Sequence, residues 1–103
     1  MATIREVKEA EFDEVVKSGV VLVDFWAPWC SSCRMLSKVI EQAAPAASAD
    51  AVIAKVNIDE EQGLAVRFMV SNLPRLILFK NGEQVQDLTG VQSRPKLVEL
   101  LNS

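Results

Sequence analysis

Cys30 and Cys33 are the only cysteines among 103 residues, and Ser31 and Ser32 alone separate them. They follow the apolar run Val20-Val21-Leu22-Val23-Asp24-Phe25-Trp26 and the short link Ala27-Pro28-Trp29. A strand that ends there and then turns helical places the first thiol at a helix N-terminus. Unpaired backbone N–H groups and the helix dipole favour a thiolate at such a position. The second thiol lies one turn along, within reach of the first. A pair so placed suits a disulfide that is made and broken during reaction.

Composition narrows the other chemistries. The chain has no histidine, so imidazole bases, His-assisted thiol catalysis and Cys/His zinc sites are excluded within one chain. Two thiolates fall short of the four ligands that zinc or an iron–sulfur cluster takes. A metal shared across two chains stays open as an alternative, and metal analysis would reveal it. The formal charge of −3 gives no electrostatic footprint for nucleic acid, and no basic block suits an anionic membrane. No apolar run approaches the ~20 residues that cross a bilayer. The start Met1-Ala2-Thr3-Ile4-Arg5-Glu6 lacks the charged-then-apolar secretory pattern, which favours the cytoplasm. Two cysteines are also too few for a disulfide scaffold. Half of the residues are hydrophobic, enough for a packed core in one domain spanning 1–103.

The elements that must position the cysteines follow from periodicity. Thr3 to Val7 alternates as a short strand. Ala10 to Lys17 carries Phe12, Val15 and Val16 at helical spacing and stops at Ser18-Gly19. Val20 to Trp26 is apolar almost throughout, as a strand covered on both faces must be. Ser31 to about Ala44 reads as a helix with Met35, Leu36, Val39 and Ile40 facing inward, and Pro45 ends or kinks it. Val52 to Asn57 is a second buried strand, and Glu60 to about Phe68 a short helix. Arg75 to Lys80 and Glu83 to Thr89 flank Asn81-Gly82, a hairpin pair that accepts positive φ. Ser93 caps a last helix bearing Leu97, Val98, Leu100 and Leu101, with Pro95 in its first turn. This order predicts an α/β fold: a mixed five-stranded sheet flanked by four helices, in which the first three strands need crossovers.

Over its whole length the chain resembles the thioredoxin family. The matching residues are Val23-Asp24-Phe25-Trp26-Ala27-Pro28-Trp29-Cys30, Cys33-Arg34-Met35, Ala54-Lys55-Val56-Asn57-Ile58-Asp59, Leu73-Pro74, Leu78-Phe79-Lys80-Asn81-Gly82-Glu83 and Gly90. The resemblance implies a thioredoxin fold and a thiol–disulfide oxidoreductase that reduces protein disulfides. It implies no bound cofactor, a monomer, and a flavoprotein such as thioredoxin reductase, or another thiol donor, as the source of electrons. Two positions depart from the family pattern. Ser31-Ser32 replaces the usual Gly-Pro between the cysteines, which bears on redox potential and partner preference. Lys38 stands where the active-site helix usually carries a proline.

Further roles carry over residue by residue. Cys30 becomes the nucleophile and Cys33 the resolving thiol. Asp24 interrupts an apolar strand and points to the face opposite Val23 and Phe25. Burial raises the pKa of such an acid, and the resemblance assigns it proton transfer for Cys33. Lys55, in the neighbouring strand, is placed to modulate its charge. The resemblance makes the Leu73–Pro74 bond cis and leaves the Leu73 backbone free for an extended substrate. Trp29, Pro74, Gly90 and Val91 then form a shallow apolar groove around Cys30, with Trp26 packed beneath. Arg75 either lends positive charge to Cys30 or points to solvent. Two other roles share the same fold: a disulfide-donating oxidase or isomerase, and a binding subunit whose cysteines stand idle.

Overall fold

A computed structural model describes all 103 residues. Five strands form one sheet: β1 (Thr3–Glu6), β2 (Val20–Trp26), β3 (Val52–Asn57), β4 (Arg75–Lys80) and β5 (Glu83–Thr89). Their spatial order is β1-β3-β2-β4-β5. The β1, β3 and β2 strands pair parallel, while β4 runs antiparallel to β2 and forms a hairpin with β5. The parallel part needs crossover helices, supplied by α1 (Glu9–Val16) and α2 (Ser31–Ala43). A 3-10 turn at Ala44–Ala46 follows α2, and α3 (Gln62–Arg67) and α4 (Arg94–Leu101) complete the chain. The expected five strands and four helices are all present.

Strand alternation divides the core into two layers, one on each face of the sheet. Leu22, Leu76 and Leu78 face α2 and α4, packing on Leu36, Ile40, Leu97 and Leu100. Val23, Phe25, Ile77 and Phe79 face the other way, packing on Phe12 of α1 and Leu64 of α3. The central strand β2 is buried on both faces, which explains its continuous apolar run. No helix is long and apolar enough to cross a membrane.

Local signals behave as their chemistry dictates. Asn81 and Gly82 both take positive φ, at 52° and 85°, and close the β4–β5 hairpin. Ser93 accepts the Lys96 N–H and caps α4. Pro45 lies in the 3-10 turn, one residue beyond the end of regular α2 hydrogen bonding. Two expectations are corrected. Met35 is 61% exposed and does not belong to the inward stripe of α2, which runs through Cys33, Leu36, Ile40 and Ala43. The 3.6-residue spacing from Cys33 sets that stripe, and Met35 falls on its flank. The third helix is shorter at both ends than Glu60–Phe68: the Asn57 carbonyl accepts from Glu60 and Glu61 in a turn before α3 begins, and Phe68 is its C-cap, followed by Met69 at positive φ.

Candidate active site

The two cysteines are brought together at the C-terminal end of β2. Cys30 is the N-cap of α2 in extended conformation, and Cys33 lies in its first turn. Their Cα atoms are 5.3 Å apart and the sulfurs are joined as a disulfide. The Cys30 sulfur does the work of a capping side chain: the Cys33 N–H donates to it at 3.1 Å. Ser32 Oγ lies 3.4 Å from the same sulfur. Ser31 is exposed and makes no such contact. In this oxidised form both cysteines are largely covered, Cys30 at 7% exposure and Cys33 at 3%.

Around the disulfide, Ala27, Cys30 and Cys33 form a small buried cluster, against which Trp26, Ile58 and Leu73 pack. Trp26 therefore lies beneath the site, as expected, with Lys55 Nζ 5.0 Å from its ring centroid. The Leu73–Pro74 bond is cis. Gly90 takes φ 95° and donates its N–H to the Pro74 carbonyl at 2.8 Å, which brings Gly90 and Val91 to the Pro74 side of the site. Val91 and Trp29 are exposed, at 40% and 67%. The Trp29 indole is oriented by its N–H, which donates to the Asp59 carboxylate at 3.1 Å. Nothing local in the sequence marks Asp59 for this task, because it lies thirty residues from Trp29. A cleft of about 400 Å³ opens beside Trp26, between Glu6, Lys8, Asn57 and Glu60, and holds neither cysteine. No enclosed pocket is lined by either cysteine.

Asp24 is wholly buried, and neither carboxyl oxygen has a hydrogen-bond partner within the protein. It shares a face of β2 with Leu22 and Trp26, so it lies on the α2 side of the sheet, as Cys33 does. Desolvation pushes its pKa up from 3.8 to about 7; the Lys55 charge opposes that rise and Glu6 adds to it. The strand register explains both influences: Lys55 stands opposite Asp24 on one side and Glu6 on the other. Lys55 Nζ donates to Ser37 of α2 at 2.6 Å, which holds it above this face.

Arg75 neither approaches Cys30 as a free cation nor points to solvent. Its guanidinium forms a two-point pair with Asp87, with both N···O distances 2.6 Å. That bond holds the Asp87 carboxyl below, and the guanidinium above, their usual ranges. No local pattern marks Asp87, because its partner lies twelve residues away across a hairpin.

A strand–turn–helix that delivers two cysteines to one helix start, over a buried acid and beside a cis proline, is a specific arrangement. Residues 3–103 match the Thioredoxin family profile. The chain belongs to the thioredoxin family. It is 42% identical to a thioredoxin of Staphylococcus haemolyticus over 99 residues, covering 96% of this chain and 95% of that one. It is 41% identical to a thioredoxin of Staphylococcus aureus, with the same coverage. Among solved structures, a mutant thioredoxin from Halobacterium salinarum NRC-1 superposes with a TM-score of 0.83 at 39% identity, covering 96% of this chain and 88% of that one. As a thioredoxin-family protein the chain is a thiol–disulfide oxidoreductase of the protein-disulfide reductase type.

Proposed function

We propose that the reduced protein attacks substrate disulfides through Cys30. The Cys30 thiolate displaces one substrate sulfur, which leaves as a thiolate, and a mixed disulfide forms. Cys33 then loses its proton to Asp24 and attacks the Cys30 sulfur, which releases the second substrate thiol. The protein finishes with the Cys30–Cys33 disulfide, and two electrons have passed to the substrate. Thioredoxin reductase or another thiol donor returns them. The observation that carries these roles is the position of the Cys30 sulfur as acceptor for the α2 N-terminus, with Cys33 inside the turn. The groove of Trp29, Leu73, Pro74, Gly90 and Val91 receives an extended segment of the substrate. Lys55 sets the charge felt by Asp24, and Ser31-Ser32 sets the redox poise. The protein acts as a single domain and a monomer in the cytoplasm, where thiols are kept reduced.

The deciding experiment is insulin disulfide reduction with dithiothreitol as electron source. The parent should accelerate it and Cys30→Ser should abolish the acceleration. A Cys30→Ser protein as active as the parent would rule out Cys30 as the nucleophile, and a parent that gives no acceleration would leave the binding-subunit reading.

The assigned order of the thiols has its own measurement. Limited alkylation of the reduced protein at pH 7 should label Cys30 first, because it caps the helix and faces the groove. Faster labelling of Cys33 by mass mapping would reverse the two roles.

A further inference from the structure

Arg75 is the first residue of β4, directly after Pro74, and its side chain is only 17% exposed. Besides the pair with Asp87, its Nη1 donates to the Phe68 carbonyl at 2.8 Å and lies 3.4 Å from the Met69 carbonyl. Asp87 stands on β5 opposite Ile77, two positions from Thr89, which faces Arg75. One guanidinium therefore ties three segments together: the end of α3, the entry to β4, and β5. A planar five-donor group suits such a junction.

The turn it holds needs support. At the end of α3, the Met69 N–H donates to Val66 O at 3.1 Å and the Val70 N–H to Ala65 O at 2.8 Å. This is the double hydrogen bond that closes a helix through a left-handed residue. Met69 is that residue, with φ 51°. Glycine takes this conformation freely, whereas a side chain opposes it. Met69 is 82% exposed, so packing does little to hold it. A cation over the last carbonyls of the helix is favoured by the dipole as well. Beyond the turn, Ser71, Asn72 and Leu73 make no backbone hydrogen bond within the chain. At the far end, Gly90 fixes the Pro74 carbonyl. The unpaired stretch is thus anchored on one side by Arg75 and on the other by Gly90.

We propose that Arg75 and Asp87 are positioning residues that clamp the Met69–Pro74 segment, so that the Leu73 backbone is set to pair with an extended protein substrate before it arrives. This rests on the reading of Leu73 and Pro74 as substrate-binding. Preorganisation of this kind acts on binding and not on bond exchange. The clamp touches neither sulfur, so a small disulfide with no peptide backbone gains nothing from it.

The parent, Arg75→Thr and Asp87→Asn are assayed on insulin and on the aromatic disulfide 5,5′-dithiobis(2-nitrobenzoate). KM for insulin should rise roughly 5- to 30-fold in Arg75→Thr, the equivalent of re-ordering one backbone residue on binding. Its kcat should stay within about twofold of the parent, and the rate with the aromatic disulfide should not change. Asp87→Asn should shift in the same direction by less. Adding Met69→Gly to Arg75→Thr should recover part of the insulin KM, because glycine holds the turn unaided. Equal losses on both substrates, or no loss on insulin, would overturn the clamp. If Arg75→Thr does not fold, the insulin-to-aromatic ratio of Asp87→Asn decides in the same way. A parent active on the aromatic disulfide but inert on insulin would instead remove the reductase reading, and the clamp with it.

Discussion

Asp24→Asn should make the oxidised protein more stable at pH 8 and slow its reduced form in catalysis. The carboxyl is wholly buried with no partner, and its pKa is about 7 against 3.8 in the ordinary case. Below 3.8 the acid is protonated in both folded and unfolded chains, and it contributes no pH dependence. Between those values the folded protein keeps a proton that the unfolded chain has released. Stability therefore falls as pH rises from about 4 to about 7 and stays low above that. The gap corresponds to about 4 kcal/mol at pH 8. Asparagine removes the ionisation but still buries an unpartnered polar group, which costs about 1–3 kcal/mol. The net gain at pH 8 should be roughly 1–3 kcal/mol. The mutant's advantage should be smaller at pH 5 by about 2–3 kcal/mol, because the parent is mostly protonated there. Denaturant melts at the two pH values measure this. An advantage that does not change between pH 5 and pH 8 would show that Asp24 does not titrate as a buried acid. On the kinetic side, Cys33 loses its proton acceptor, and the resolving step should slow by up to ~10²-fold. Acid quenching should then trap more mixed disulfide than in the parent.

The residues that define this site were legible because their physics is local. Cys30 and Cys33 sit at a strand–helix junction that two periodicities reveal, and Asn81-Gly82 marks its hairpin through backbone freedom alone. Asp24 was legible as an anomaly, a charge in a strand buried on both faces. Where contacts join residues distant in sequence, the signal fades. Arg75 looked like a candidate cation for Cys30, yet its geometry is decided by Asp87 on the next strand and by two carbonyls at the end of α3. Asp59 orients Trp29 from thirty residues away, and no pattern in the chain marks it for that task. Met35 differs for another reason: a helix beginning at Ser31 presents an apolar residue at its flank as readily as at its centre.

The serines between the cysteines should make the protein a weaker reductant than its family norm, and the structure divides the effect between them. Ser32 Oγ lies 3.4 Å from the Cys30 sulfur, and Ser31 is exposed. In the reduced protein the Ser32 hydroxyl can donate to the Cys30 thiolate, beside the Cys33 N–H that already points there. Serine also keeps the backbone N–H that proline lacks, and it leaves φ unfixed in the first turn of α2. Added donors stabilise the thiolate, and a looser link weakens the preference for closing the disulfide. Both raise the potential. A hydrogen bond to a charged group contributes about 1.5–3 kcal/mol, and about 30 mV corresponds to 1.4 kcal/mol for this two-electron couple. The family reference is about −270 mV, so equilibrium with glutathione should place this protein roughly 20–60 mV above it. Ser32→Ala should lower the potential by removing the hydroxyl. Ser31→Gly alone should change it little, and the double variant Ser31→Gly, Ser32→Pro should return it toward the family value. A parent potential at or below the reference, or a double variant that does not move, would show that the poise is set elsewhere. The remaining source on this side of the sheet would be the charge of Asp24 and Lys55, which the Asp24→Asn protein measures directly.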